Sequence, residues 1–353
     1  IQYSLYIHLK QRTKVMQNFG YSLLNRIIVW RISDAVQQGI KQKTPISFAL
    51  TFIIHYICAL ANKNIITDMG KFIKTKIVAA SAAVLLAASC GNAKANAAQD
   101  AAKGQEGVSV MTIDSLTLTT IRDDDGNKRM PNKLFYGEAD SAKVERLSPS
   151  GSIASSVSCY LVEAQGKLVL FDTGNGAERG GRLLERLEGI GVTPDDIDIL
   201  VLTHFHGDHI GGMMKGGQPV FTHAEVYVPE AEYKAWLAMS NRNAKMAMDA
   251  MAAYGDRVHR FEYGDALPLG ITPMAAPGHT PGHTVYQIGR LLIVGDLMHG
   301  FDLQIQDLDI CPDYDMNPRQ AAETRKKYVE YARQNGLVVA GMHFPGNGVK
   351  DKL

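Results

Sequence analysis

From residue 108 onward the sequence predicts an α+β domain with helices packed outside sheets, and three observations carry that prediction. Strand-like and helix-like segments intermingle along the whole stretch. Residues 197–203, Ile-Asp-Ile-Leu-Val-Leu-Thr, form a nearly continuous apolar run, the pattern of a strand buried on both faces. No internal repeat, low-complexity segment or linker interrupts residues 108–353, so one domain is expected there. The chain has 353 residues and 46% hydrophobic residues, enough for one large core or two modest ones.

The elements follow in order. Residues 108–121 are rich in β-branched residues and roughly alternate apolar with polar, which reads as strand, and residues 123–127 read as a turn. Two strands are expected at 158–163 and 167–171, the second ending in Asp172-Thr173-Gly174-Asn175-Gly176. A helix then places Leu183, Leu184, Leu187 and Ile190 on one face and closes at Gly191. After the 197–203 strand come a strand at 225–228, a helix from Pro229, a Met-rich helical stretch over 239–251, and strands at 271–275, 284–288 and 291–294. The last helix is announced by Asn317 as N-cap and Pro318 in its first position, carries Glu323 four residues before Lys327, and stops at Gly336. A strand over 337–340 then leads to His343.

The first hundred residues differ from the rest. Three lysines, Lys71, Lys74 and Lys76, precede an uncharged apolar run over 77–89, too short to span a bilayer but suited to an export signal opening at Met69. Two cleavage readings stand: Ala87-Ala88-Ser89-Cys90 resembles a bacterial lipoprotein box with Cys90 acylated, and Ala95-Asn96-Ala97 fits ordinary small-x-small cleavage. The polar, Ala-rich stretch that follows suits a tether, with 98–107 its flexible end. The expected location is therefore exported, periplasmic or lipid-anchored at Cys90. Residues 1–68 show no sustained periodicity and are expected to be upstream read-through; the opposing reading, a membrane anchor over 46–61, is weakened by its length and by His55.

Residues 1–97 hold 12 Lys or Arg against 2 Asp or Glu, leaving 25 basic and 34 acidic residues from Ala98 onward, a net charge of −9. Such a balance offers no basic face for a phosphate backbone, so nucleic acid is not an expected partner and a small molecule is. Beyond Cys58 and Cys90, only Cys159 and Cys311 remain, with no C-x-x-C spacing; unpaired buried thiols are expected, a disulfide being the alternative.

Thr203-His204-Phe205-His206-Gly207-Asp208-His209 gathers three imidazoles and a carboxylate within six residues, directly after a buried strand. In extended backbone, residues two apart share a face, so His204 and His206 can grip one ion, and Gly207 lets the chain turn to offer Asp208 and His209 to a second. Nitrogen and carboxylate donors suit zinc, and also iron or manganese; the lack of thiols argues against a soft metal.

This H-x-H-x-D-H run resembles the first metal motif of the metallo-β-lactamase fold superfamily. The resemblance extends over nearly all of residues 108–353 and implies an αββα four-layer sandwich. The family's Pro-Gly-His turn is matched by Ala276-Pro277-Gly278-His279-Thr280-Pro281-Gly282-His283, making His279 the implied ligand and His283 a supporting residue, with the reverse assignment as alternative. Its strand-ending Gly-Asp is matched by Gly295-Asp296 and its last histidine by His343. The resemblance thus implies His204, His206 and His279 on one metal, Asp208, His209 and His343 on the other, and Asp296 bridging two divalent ions, zinc being expected. Asp172 matches a supporting aspartate that would fix a ligand imidazole through its other nitrogen; a turn or N-cap role is the bland reading.

Asp296 stands where the zinc β-lactamases proper use cysteine, which puts lactam hydrolysis in doubt. The segments around Gly295–His299, 320–327 and 343–346 look similar to the branch containing methyl parathion hydrolase and related lactonases. The resemblance implies a dinuclear zinc metallohydrolase in which metal-bound hydroxide attacks an ester, lactone or phosphotriester, with Asp208 as proton shuttle. His299 is either a substrate contact or a structural histidine, and Met246, Met248 and Met251 either an adaptable apolar wall or ordinary core. Rival readings are a single-iron persulfide dioxygenase on the same scaffold and a non-catalytic metal-binding surface lipoprotein.

Overall fold

A computed structural model describes residues 104–137 and 141–353. The expected read-through segment, export signal, Cys90, the 46–61 apolar run and the tether up to residue 103 lie outside the described residues.

In chain order the strands are β1 (Val108–Ile113), β2 (Leu116–Arg122), β3 (Arg129–Pro131), β4 (Ser152–Ala154), β5 (Ser158–Ala164), β6 (Lys167–Phe171), β7 (Ile199–Val201) and β8 (Met214–Lys215). They continue with β9 (Gln218–Pro219), β10 (Glu225–Pro229), β11 (Val258–Phe261), β12 (Thr272–Ala275), β13 (Thr284–Ile288), β14 (Leu291–Ile293), β15 (Val338–Ala340) and β16 (Val349–Lys350). The described helices are α1 (Ser141–Leu147), α2 (Leu183–Gly189), α3 (Gly207–Ile210), α4 (Glu230–Leu237), α5 (Arg242–Tyr254), α6 (Phe301–Gln304) and α7 (Pro318–Asn335).

A seven-stranded sheet in the order β1-β2-β5-β6-β7-β10-β11 faces a five-stranded sheet in the order β12-β13-β14-β15-β16. The period-2 alternation of strand side chains sorts them into three cores. Along β5, Cys159 and Leu161 point toward α2, α4 and α5 with Leu187, Trp236 and Ala247. Their neighbours Tyr160 and Val162 point the other way, into the sandwich, against Tyr286, Ile293 and Ala340 of the second sheet. The outer face of that sheet, Val285, Leu292 and Val339, packs on Tyr328, Val329 and Ala332 of α7. Helix, sheet, sheet and helix therefore stack as the expected αββα sandwich. Each fully buried aliphatic such as Leu200 or Ile293 contributes about 1.5–3 kcal/mol by leaving water.

β7 lies parallel to both β6 and β10, and β14 parallel to β15, so the carboxyl ends of the central strands of both sheets emerge at one end of the sandwich. The two sheets are stitched there: Thr284 N–H donates to Thr203 O at 3.0 Å, and Tyr286 Oη to Leu202 O at 2.6 Å.

The expected single strand over 108–121 is a hairpin, because Asp114 turns the chain in the left-handed region at φ +54° and Ile113 pairs with Leu116. The expected 197–203 strand is confined to Ile199–Val201, since beyond it Thr203 N–H leaves the ladder for the Asp172 carboxylate at 2.8 Å. Strands β3, β4, β8, β9 and β16 are too short to show a period, and β11 is a half-exposed edge with no apolar run, so none was legible. α7 begins and ends where expected, with the Asn317 side chain accepting from Gln320 N–H and Gly336 at φ +58°. Cys159 and Cys311 are both free; Cys159 is buried as expected, whereas Cys311 is half-buried, its Sγ 3.1 Å from Pro318 O.

Candidate metal centre

The chain leaves β7 through Thr203 and turns into α3, and this turn carries four of the expected ligands. Gly207, at the first position of α3, packs against Arg179 and Met246, where an added Cβ would lie 2.8 and 3.3 Å from their side chains. His279 sits in the turn between β12 and β13, Asp296 follows β14, and His343 follows β15. All seven converge on the strand ends described above.

His204 Nε2 lies 3.1 Å from His206 Nδ1, which lies 2.9 Å from His279 Nε2. These three and Asp296 form one group whose donor atoms fall within 4.8 Å of each other; Asp208, His209 and His343 form a second. Asp296 reaches both groups: Oδ2 is 3.3 Å from His279 Nε2 and 3.1 Å from His343 Nε2, and Oδ1 is 3.1 Å from His209 Nε2.

Four of the five imidazoles, those of His204, His209, His279 and His343, are aimed by their other nitrogen. Asp172, in the left-handed region at φ +57°, faces His209 Nδ1 with Oδ2 at 2.7 Å and also accepts from Thr203 Oγ1 at 2.6 Å. Thr203 Oγ1, its proton given to Asp172, accepts in turn from His204 Nδ1 at 3.0 Å. His279 Nδ1 donates to Asp315 Oδ1 at 2.8 Å, and His343 Nδ1 to Ser156 O at 2.6 Å. These tautomers follow from the hydrogen-bond network, and they leave the Nε2 lone pairs of these four converging at the centre with His206 Nδ1. Converging lone pairs repel unless a cation sits among them.

Two further observations fit a cation. His209 Nε2 and Asp296 Oδ1 are buried and make no hydrogen bond although they lie 3.1 Å apart. Burial pushes the Asp296 carboxyl up, but the imidazoles of His209, His343, His299 and His204 reverse this and hold it well below the usual carboxylate range. Burial lowers His279, yet hydrogen bonds and charge from Asp296 and Asp315 push it up to about 9. His206 goes the other way, lowered to about 3 by burial and by the neighbouring His279, which suits a neutral ligand. A set of imidazole nitrogens and carboxylate oxygens of this kind fits divalent zinc, iron or manganese.

His283 is not aimed into the centre. Its Nε2 accepts from Asp296 N–H at 2.9 Å and its Nδ1 donates to Ala276 O at 3.1 Å, so both nitrogens clip backbone beside ligands. His299 is buried within the cluster, with Nε2 2.9 Å from Asp296 Oδ2, its ring stacked on His343 at 4.9 Å, and Nδ1 without a partner. Asp208 is the outward carboxylate, its side chain 31% exposed against 2% for Asp296. Of the Met-rich stretch, Met251 is core, whereas Met246 accepts from Arg179 Nη2 at 3.1 Å beside Gly207.

Sequence reasoning missed Asp315, Tyr314 and Glu232. Asp315 is held against His279 and also lies 3.5 Å from the buried Arg325, whose other donors go to Leu297 O, Leu308 O and Ile310 O. Tyr314 stands edge-on to His299 with ring centres 4.8 Å apart. In sequence Asp315 is one of two acids in Cys311-Pro312-Asp313-Tyr314-Asp315, and no spacing singles it out.

The model of the metallo-beta-lactamase superfamily matches residues 153–343, more than half of the chain. An N-acyl homoserine lactonase of Bacillus thuringiensis is 28% identical over 159 residues, 39% of this chain and 60% of that protein. Metallo-beta-lactamase domain-containing protein 1 of Homo sapiens is 27% identical over 219 residues, 59% of this chain and 67% of that protein. The chain thus spans about three fifths of the length of the lactonases it matches. Among solved structures, the hydrolase AbOPH of the beta lactamase superfamily superposes with a TM-score of 0.63 at 26% identity, over 69% of this chain and 92% of that one. AidC, a dizinc quorum-quenching lactonase, gives the same TM-score and coverage at 24% identity, a likeness of fold. With its αββα layers and the two donor groups at one end of the sandwich, this chain belongs to the metallo-beta-lactamase superfamily and within it resembles the lactonase-like branch.

Proposed function

We propose that this protein is a dinuclear metal-dependent hydrolase of a small ester, lactone or phosphotriester, with lactones and esters bearing an apolar tail the favoured class. One observation carries the reading: Asp296 belongs to one donor group and lies 3.1 Å from His209 Nε2 and from His343 Nε2 of the other, with His209 Nε2 and Asp296 Oδ1 buried and without a hydrogen bond. Two divalent ions held there, zinc by expectation, would supply Lewis acidity and lower the pKa of water toward neutrality. His204, His206 and His279 would hold one ion and Asp208, His209 and His343 the other, with Asp296 within reach of both groups.

The remaining roles belong to the protein. Asp172, Thr203, Asp315 and Ser156 fix the imidazoles so that Nε2 faces inward, and the buried cluster keeps bulk water from competing. Asp208, half-exposed and 3.6 Å from His343 Nε2, is placed to take a proton at Oδ2 and return it to the leaving oxygen. Met246 beside Gly207, and Met130 with its Sδ 3.8 Å from Tyr314 Oη, offer polarizable apolar walls near the centre, which supports a substrate with an apolar tail.

The test is a metal count by mass spectrometry on the purified protein, paired with turnover of acyl lactones, aryl esters, aryl phosphotriesters and a β-lactam. Two zinc per chain, with lactone or ester turnover abolished by chelation, is expected. One iron per chain and no hydrolysis would overturn the reading in favour of an oxidoreductase.

A further inference from the structure

We propose that Glu232 is a positioning residue of the metal centre, its carboxylate fixing the spacing between the His204–His206 pair and His279. The inference rests on the two-ion reading of the site. Glu232 stands in the first turn of α4, outside every ligand motif, and is completely buried. Its oxygens meet only donors. Oε1 accepts from Phe205 N–H at 3.0 Å and from the Trp236 indole Nε1–H at 2.5 Å. Oε2 accepts from Thr280 Oγ1 and from Gly282 N–H, both at 2.8 Å.

Each donor flanks a ligand. Phe205 lies between His204 and His206, Thr280 follows His279 directly, and Gly282 ends the same turn. Trp236, one helical turn beyond Glu232, stands edge-on to His206 with ring centres 5.4 Å apart. One carboxylate therefore binds the loop after β7, the loop after β12 and the wall behind His206. These loops come from different sheets, and nothing in their own sequences sets the distance between them. Gly282 allows the close approach: a Cβ there would lie 2.1 Å from Glu232 N.

Four donors and no acceptor are what an ionised carboxylate needs, and burial without them would be costly. A glutamine cannot replace it. Whichever oxygen became NH2, one backbone N–H, that of Phe205 or that of Gly282, would face a donor instead of an acceptor. The consequence falls on the ion held by His204, His206 and His279, because the Asp208, His209 and His343 group is anchored separately by Asp172 and Ser156.

The experiment is zinc binding by the full chain and its Glu232→Gln variant in competition with a chromophoric chelator, with cobalt substituted in parallel to report each site's spectrum. Loss of an outer partner typically weakens metal affinity by about 10–100-fold. A weakening of that size confined to one ion per chain is expected. Trp236→Phe and Thr280→Val each remove one donor, and a smaller loss of roughly two- to tenfold in the same ion is expected; these variants carry the test if Glu232→Gln does not fold. Ile288→Ala, at the far end of β13, supplies a core variant with lowered Tm, and it should keep both ions. Wild-type affinity for both ions in the variants, equal weakening of both, or weakening no greater than in Ile288→Ala would overturn the proposal. A wild-type chain that binds fewer than two zinc ions would instead sink the two-ion reading itself.

Discussion

At the scale of single residues, the centre is built from side chains whose partners point away from it. Asp172 and Asp315 each spend a carboxylate on the outward nitrogen of a candidate ligand imidazole, and His283 spends both of its nitrogens on backbone. Asp208 differs in being partly open to solvent, while burial, which raises its carboxyl, is outweighed by His209 and His343, leaving it lowered to about 2. It is therefore ionised across the neutral range, the form a proton acceptor needs. Asp208→Asn keeps the shape and a ligating oxygen but removes the base. Turnover is expected to fall by about 10²–10⁴-fold, with the metal count unchanged at two. Steady-state kinetics alongside mass spectrometry decides it, and full turnover with both ions retained would remove Asp208 from the proton path.

At the scale of elements, turns rather than strands set where the ligands stand. Gly278, at φ +133°, lies against the start of α7, and a Cβ would fall 2.2 Å from Ala321 N. The same junction is tied by Asn317 N–H to Gly278 O at 2.8 Å and Met316 N–H to His279 O at 3.1 Å. Gly278→Ala combines backbone strain with overlap against backbone that cannot rotate away, a cost of about 3 kcal/mol. Thermal unfolding should show Tm lower by about 6–12 °C, with zinc affinity reduced because His279 moves with its turn. An unchanged Tm would mean that the α7 junction is looser than its contacts require. Pro277-Gly278-His279 was legible in the sequence as a motif, but its dependence on α7, which begins thirty-nine residues after His279, was not.

At the scale of the molecule, the candidate ligands come from both sheets, so bound ions would act as a cross-link between the two halves of the sandwich. His204, His206, Asp208 and His209 follow β7 of the first sheet; His279, Asp296 and His343 belong to the second. Any ion that binds the folded chain and not the unfolded one adds about 2.7 kcal/mol at a free concentration one hundred times its Kd. Stripping the ions with a chelator is expected to lower Tm by roughly 5–10 °C for each ion held this tightly, and added zinc should restore it. Calorimetry with and without chelator measures this, and a Tm indifferent to both would show that the centre contributes nothing to holding the sheets together.

The sequence by itself determined helices packed outside sheets, and its resemblance to the metallo-β-lactamase fold superfamily supplied the αββα order and the seven candidate ligands, because H-x-H-x-D-H, Pro-Gly-His, Gly-Asp and the final histidine are local patterns. It also located Asp172 at the end of its strand. Only the tertiary structure decided that His283 faces backbone, that His299 is packed into the centre, that Met246 borders it while Met251 is core, and that the stretch over 108–121 folds back as a hairpin. It alone revealed Glu232 and Asp315. The physical reason is that a ligand motif is contiguous, whereas the groups that aim it act through space: a carboxylate on α4 or in the loop before α7 carries no sequence mark of which imidazole or backbone N–H it will meet.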